Sequence, residues 1–318
     1  MPASSSGTEM AAPGTAKPKV ARSPGTAFMI GLPYLWLALL ILIPCLIVLR
    51  ISLSQTVIAQ PPYVPVFDFA GGFAAIKAFL GALSFENYGS LFADTLYISS
   101  YLKSLEIAAL STLALLVLGY PVAYAMSRAP GRWQAILVML VILPFWTSFL
   151  IRVYAWITIL QHDGLLNRVL MALGVIDAPY VWLATDTAVY IGIVYSYLPF
   201  MVLPLYASLQ KLDDTLLEAA ADLGCRRWQA FWKITVPLSL PGVLAGTLLC
   251  FIPITGEFVI PDLLGGSQTV MIGQTLWTEF FGNKDWPVAS AIAIVLLCLL
   301  VVPIALFEKM RVREIEGR

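Results

Sequence analysis

The segment LLEAAADLGCRRWQAFWKITVPLSLPG, residues 216–242, decides how this chain is read. It carries Glu218, Asp222, Arg226, Arg227 and Lys233, yet it lies in a chain that is 59% hydrophobic and only 12% charged. That composition belongs to a polytopic membrane protein rather than to a soluble domain. A polar, helix-forming segment between two apolar runs is then a loop with a task. Acidic and basic residues balance at 19 each, which argues against a nucleic-acid partner.

Working outward, a helix crosses a bilayer with about 20 apolar residues. Residues 28–49, 107–126, 188–209 and 288–307 are charge-free runs of that kind. The run 135–151 continues past Arg152 to Leu160, and 238–256 ends at Glu257. Six membrane helices are therefore expected, an all-α polytopic fold over residues 28–308. Pro44, Pro144, Pro199 and Pro253 lie inside these runs, where packed membrane helices tolerate them. With the N-terminus placed inside, 13 of the 19 basic residues fall on the inner side, so both termini are expected in the cytoplasm.

Residues 1–27, rich in Ala, Pro, Ser, Gly and Thr, read as a disordered tail rather than a signal peptide. Residues 309–318 read as a cytoplasmic C-terminal tail, and the outer loop at 50–106 as a partly ordered cap. Four cysteines (Cys45, Cys225, Cys250, Cys298) have neither metal-ligand spacing nor a disulfide pattern. No metal site is expected.

The polar segment, residues 211–241, falls on the inner side between the fourth and fifth runs. Asp213 or Asp214 is placed to cap a helix. Leu212, Leu216, Ala219, Ala220 and Leu223 recur at helical spacing as an apolar face, and Asp214, Glu218 and Asp222 form an acidic stripe. Asp222 and Arg226 stand at pairing distance if the helix continues, but Gly224 is the natural C-cap. A second helix is expected from about residue 227 to 235, stopping at Pro237, with Trp228, Phe231 and Trp232 on one side. Pattern alone leaves two readings, a helix lying on lipid and a docking surface for a soluble partner.

Glu218, Ala219, Ala220, Gly224, Ile234 and Pro237, at this spacing, resemble the EAA loop of bacterial ABC importer permeases. Val236 stands where that family has leucine. The resemblance implies a type I ABC importer permease (MetI-like) architecture. It also implies that Glu218, Ala219, Ala220, Asp222, Gly224, Cys225, Arg226 and Arg227 form a coupling helix seated in a groove of a separate ATPase subunit. The stretches at 144–160, 256–281 and 285–294 resemble permeases of the spermidine/putrescine (polyamine) group, most of all its putrescine-type permease. The implied assembly has a second, different permease chain, two ATPase subunits and a periplasmic substrate-binding protein, in the lipid of the bacterial inner membrane. Close backbone approach to the ATPase is the expected reason for Gly224.

The chain has no G-x-x-x-x-G-K-[ST] phosphate loop, and His162 is its single histidine. It is thus not expected to be an enzyme or to hold a cofactor; ATP belongs on the partner subunit. A polyamine path needs carboxylates and aromatic faces. Glu257 leads the candidates, either on the path or at the outer rim, with Pro253 and Pro261 expected to break the fifth helix beside it. Trp146, Tyr195, Tyr197 and Asp262 complete the set, with Glu106 weaker. Arg152 reads as a structural partner or a rim residue, and Gly242 with Gly246 as a helix-packing motif. A permease for another small solute, such as an inorganic anion, and a secondary transporter driven by an ion gradient are the rival readings.

Overall fold

The computed structural model describes residues 24–66 and 81–316. The chain divides into two units, Met1–Ile47 and Val48–Arg318. The described part of the first unit belongs to helix α1 (Pro24–Ser52). That helix starts four residues before the apolar run, with a proline at the end where a missing N–H costs nothing. The tail expected at residues 1–27 otherwise lies outside the described residues.

In the second unit a short hairpin (β1, Gln55–Thr56; β2, Tyr63–Val64) precedes α2 (Glu86–Ala93) and α3 (Thr95–Arg128). The outer loop is shorter than expected at its far end. Asp94 caps α3 by accepting from the Leu96 N–H at 2.8 Å, so the helix begins 12 residues before the apolar run. Then come α4 (Gly131–Ile142), a tight turn (Leu143–Trp146), α5 (Phe149–Leu160), α6 (Leu165–Ala172) and α7 (Asp186–Leu209). The third expected span is not continuous: α4 with its turn and α5 meet at 88°. Pro144 has no N–H to continue the ladder, and Thr147 and Ser148 are extended.

The remaining helices are α8 (Thr215–Asp222), α9 (Arg227–Ala230), α10 (Val236–Thr255), α11 (Val259–Leu264), α12 (Ile272–Trp277) and α13 (Trp286–Glu316). A wide π-helical turn, Phe231–Thr235, joins α9 to α10 without a stop. The expected break at Pro237 is thereby corrected. Val236 N–H bonds Phe231 C=O, one residue further back than in an α-helix, and this widening takes up the donor that Pro237 lacks.

Among the described residues, four helices are long and apolar enough to cross a membrane. The bent pair makes a fifth span if taken together, and Trp286–Val301 of α13 is a shorter apolar helix. Each of the six expected runs is mainly helical, the third in two pieces. The residues expected as a C-terminal tail continue α13 as far as Glu316.

The core of the second unit is the packing of α3, α7 and α10, through Ile107, Leu115, Ile193, Met201, Leu205 and Ile254, all fully buried. Small residues permit it. A Cβ on Gly242 would stand 2.8 Å from the Pro204 carbonyl oxygen, and one on Gly246 2.8 Å from the Met201 sulfur. The expected close helix packing is thus α10 against α7.

The connection from α6 to α7 is pinned by Asn167, which is fully buried. Its Nδ2 donates to the carbonyls of His162 (2.9 Å) and Tyr180 (2.8 Å). Its Oδ1 accepts from Tyr180 N–H (3.2 Å) and Trp182 Nε1–H (2.8 Å). Asn167→Asp would leave two carbonyls facing a carboxylate oxygen, at a cost of about 3 kcal/mol. A clear fall in the thermal midpoint of the purified protein is expected; an unchanged midpoint would show that the loop does not depend on this residue.

Candidate functional site

The polar segment at 211–241 is built from its caps. Asp213 Oδ1 accepts from the Thr215 N–H at 3.0 Å and starts α8. The same bond, with one from the Thr215 side chain, holds the Asp213 carboxyl below the usual carboxylate range. A depressed group stabilises the folded form above its unfolded pKa, so this cap persists at neutral pH and loosens only on acidification. Asp214 pairs with Arg128 at the end of α3, tying the segment to the helix core. Glu218 and Asp222 remain exposed, and Asp222 forms no ion pair with Arg226 among the described residues.

The C-terminus of α8 is a full Schellman motif. Gly224 N–H bonds Ala221 C=O (2.9 Å) and Cys225 N–H bonds Ala220 C=O (2.9 Å), with Gly224 at φ +76°. A Cβ there would meet nothing within 4 Å. Within this chain, the glycine answers to a left-handed backbone; the close approach expected of it concerns a partner subunit, and no atom of this chain occupies that space. Arg226 N–H then bonds Gln229 Oε1 at 3.2 Å and opens α9.

The expected apolar face is divided. Ala220 is buried and Leu212 half-buried, while Leu216, Ala219 and Leu223 face outward, Leu223 at 88% exposure. An eight-residue helix has room for one buried stripe, so the other leucines are left for something outside the chain. Phe231 is held edge-on by Tyr120 and Tyr124 of α3 at 5.7 and 5.6 Å. Trp228 and Trp232 do not share that packing; they are 70% and 52% exposed. A cavity of about 470 Å³ lies between this segment and the end of α3, lined in part by Arg128, Glu218, Cys225 and Arg227.

The break after α10 falls at Gly256–Phe258, with Pro253 still inside the helix and Pro261 in the first turn of α11. Glu257 makes this break. Its Oε1 accepts from the N–H groups of Val259 (3.0 Å) and Ile260 (3.4 Å), capping α11. Its Oε2 accepts from Tyr197 O–H at 2.6 Å. Glu257 is only 8% exposed, and no cation bonds it among the described residues.

Tyr197 also lines a cavity of about 570 Å³ with Phe145, Phe149, Arg152, Ser196 and Phe200, closed by α10 from Leu248 to Pro253. Of the sequence candidates, only Glu257 and Tyr197 come together. Tyr195 packs on Trp156 at 5.4 Å, Trp146 is 73% exposed, and Asp262 accepts from Gln274 at 3.0 Å. Glu106 and Asp186 share Lys103, so Glu106 has a cation partner already. Arg152, which the sequence reading took as a structural partner or a rim residue, lies in this cavity. Its signal was present as a lone cation interrupting the apolar stretch from Ala135 to Leu160.

The family profile of binding-protein-dependent transport system inner membrane components matches residues 19–307. The chain belongs to that family. It is 37% identical over 290 residues to the spermidine/putrescine transport system permease protein PotB of Haemophilus influenzae, covering 90% of this chain and 95% of that one. With PotB of Escherichia coli it is 45% identical over 215 residues, covering 68% and 78%. A bacterial ABC transporter that imports the acidic polysaccharide alginate shares the fold at TM-score 0.65 and 17% identity, over 90% of this chain and 94% of that one. The permease is therefore the membrane component of a transporter, and its α8–α9 segment lies in that family's frame.

Proposed function

We propose that the permease moves polyamines, putrescine or spermidine, through the bacterial inner membrane by alternating access, driven by ATP bound and hydrolysed on a separate subunit. The similarity to PotB along nearly the whole chain supports the substrate class. The single observation that carries the mechanism is the α8–Gly224–α9 joint. It is tied to α3 through the Arg128–Asp214 pair, and it presents Leu216 and Leu223 outward. A groove in an ATPase subunit would cover those leucines. Glu218, Ala219, Asp222, Cys225, Arg226 and Arg227 would ring them, while Ala220 anchors the helix from within. A periplasmic binding protein would deliver substrate at the opposite side, with both termini of the permease in the cytoplasm.

Glu257 and Tyr197 offer the polyamine a carboxylate beside an aromatic ring. The donors on Glu257 are neutral groups, which solvate the charge without cancelling it. A carboxylate has about four acceptor positions, so room for an ammonium remains. Glu257→Gln keeps an acceptor for α11 and removes the charge. An increase of about tenfold in the KM for uptake is expected, with ATPase copurification unchanged; unaltered uptake kinetics would leave Glu257 a helix cap alone.

Uptake of labelled putrescine and spermidine, in cells with and without the gene, tests the whole reading. Loss of either uptake, restored by the intact gene, supports it. Arg152 in the cavity is the feature that favours a different solute, an anion, and unchanged uptake of both polyamines would turn the assignment that way. Uptake that survives ATP depletion while the ion gradient is held would instead mark a secondary transporter.

A further inference from the structure

The cavity bounded by α5, α7 and α10 holds donors with nothing to receive them. Arg152 Nε and Nη1 are buried and have no hydrogen-bond partner among the described residues. The hydroxyl of Ser196, a residue 4% exposed, is also buried without one. Both residues line this cavity. The rings of Phe145 and Phe149 lie 5.6 and 5.7 Å from the guanidinium carbon. Such contacts engage the guanidinium face, whereas its N–H donors point out along the plane. The ring contacts therefore leave Nε and Nη1 without an acceptor, a costly state inside a membrane protein.

The neighbouring acid does not fill the gap, since Glu257 is bonded to Tyr197, Val259 and Ile260. The cavity opens at the surface, where Phe200 and Leu249 are 41% and 51% exposed. Ser196 lies ten residues into α7, about 15 Å along the axis from its Asp186 end. That depth suits a protein side chain in the hydrocarbon layer better than a lipid phosphate at its edge.

We infer that this cavity receives a carboxylate side chain from a second, different permease chain, which hydrogen-bonds Arg152 and Ser196 and locks the two membrane subunits together. In another copy of this chain the carboxylates beside the long apolar helices are engaged: Glu257 caps α11 and accepts from Tyr197, Glu106 and Asp186 pair with Lys103, and Asp262 accepts from Gln274, so each would have to give up those bonds to reach Arg152. The inference rests on reading the chain as one permease subunit of a pair. Within that reading it gives Arg152 a place in assembly and not in substrate binding.

The test uses the whole complex, extracted in mild detergent, with the copurifying second permease and ATPase measured by quantitative blotting. Arg152→Met keeps the apolar stem and Arg152→Lys keeps the charge without the planar fork. With the membrane level of the permease unchanged, Arg152→Met is expected to lower the copurifying second permease at least tenfold, and Arg152→Lys to lower it less. Arg152→Glu should fail likewise and be rescued by exchanging one intramembrane acid of the second chain for arginine, which would name the partner residue.

Full assembly of the Arg152→Met complex would overturn the inference while leaving the importer reading intact. Normal assembly with altered solute selectivity, or with loss of a tightly held phospholipid, would equally overturn it and give the cavity to substrate or lipid. A wild-type permease that retains neither a second permease nor an ATPase would remove the importer reading and this inference together.

Discussion

Gly224→Val is expected to cut polyamine uptake at least tenfold while the protein still reaches the membrane at its normal level. Gly224 sits at φ +76°, and the two bonds of the Schellman motif depend on that backbone. A left-handed conformation costs an ordinary residue roughly 1–2 kcal/mol, and a β-branched one more. Each 1.4 kcal/mol is a factor of ten in the ratio of closed to open joint, so the loss is large where that joint is only marginally stable. When the joint opens, α9 no longer leaves α8 in a fixed direction, and a push on Leu216 and Leu223 no longer reaches α10. Gly224→Asn separates conformation from bulk, since asparagine tolerates this region. Near-normal uptake in Gly224→Asn beside the loss in Gly224→Val supports the backbone argument. Equal loss in both would mean that the surface itself, which a Cβ would enter freely here, must stay bare for the partner subunit.

Gly242→Leu is expected to reduce the amount of folded permease in the membrane by about an order of magnitude. A Cβ at this position would stand 2.5 Å from Ser208 Cβ and 2.8 Å from the Pro204 carbonyl oxygen, so the main chain of α7 stands in the way. Overpacking of this kind costs 1–3 kcal/mol or more, because helix axes must separate along their length. Gly246→Ala provides the contrast. Its nearest neighbour would be the Met201 thioether, at 2.8 Å, which is the end of a flexible side chain and can turn aside. Gly242→Ala should lower the thermal midpoint more than Gly246→Ala; the reverse order would mean that the α7–α10 contact is set elsewhere.

Much of this could be read in advance, for one reason. A bilayer demands continuous apolar helices, so residues 107–126, 188–209 and 238–256 declared themselves by length and absence of charge. The polar segment at 211–241 was legible for a related reason: its polar residues and its glycine follow local rules of capping that need no tertiary partner. Gly224 ends α8 as its position suggested, and Glu257 ends the fifth long run.

The misreadings share a cause as well. Ala135 to Leu160 looked like one span because hydropathy is blind to direction, whereas Pro144 and the extended Thr147 and Ser148 turn the chain by 88°. Pro237 looked like a stop, yet a wide turn absorbed its missing donor. Leu212, Leu216, Ala219, Ala220 and Leu223 read as one apolar face, yet Ala220 turns inward and Leu216, Ala219 and Leu223 outward, because helical spacing says which residues share a face and not what that face meets.

The sequence by itself determined an all-helical membrane chain and a polar joint at Gly224, because both follow from local chemistry: apolar length, charge, and a backbone that glycine accepts. Only the tertiary structure decided that Tyr197 serves Glu257, that Asn167 satisfies four groups from the two connections flanking α6, and that Arg152 faces a cavity with Nε and Nη1 unmet. Those facts depend on side chains brought together across 60 residues, as for Tyr197 and Glu257, and no spacing along a single helix encodes such a meeting.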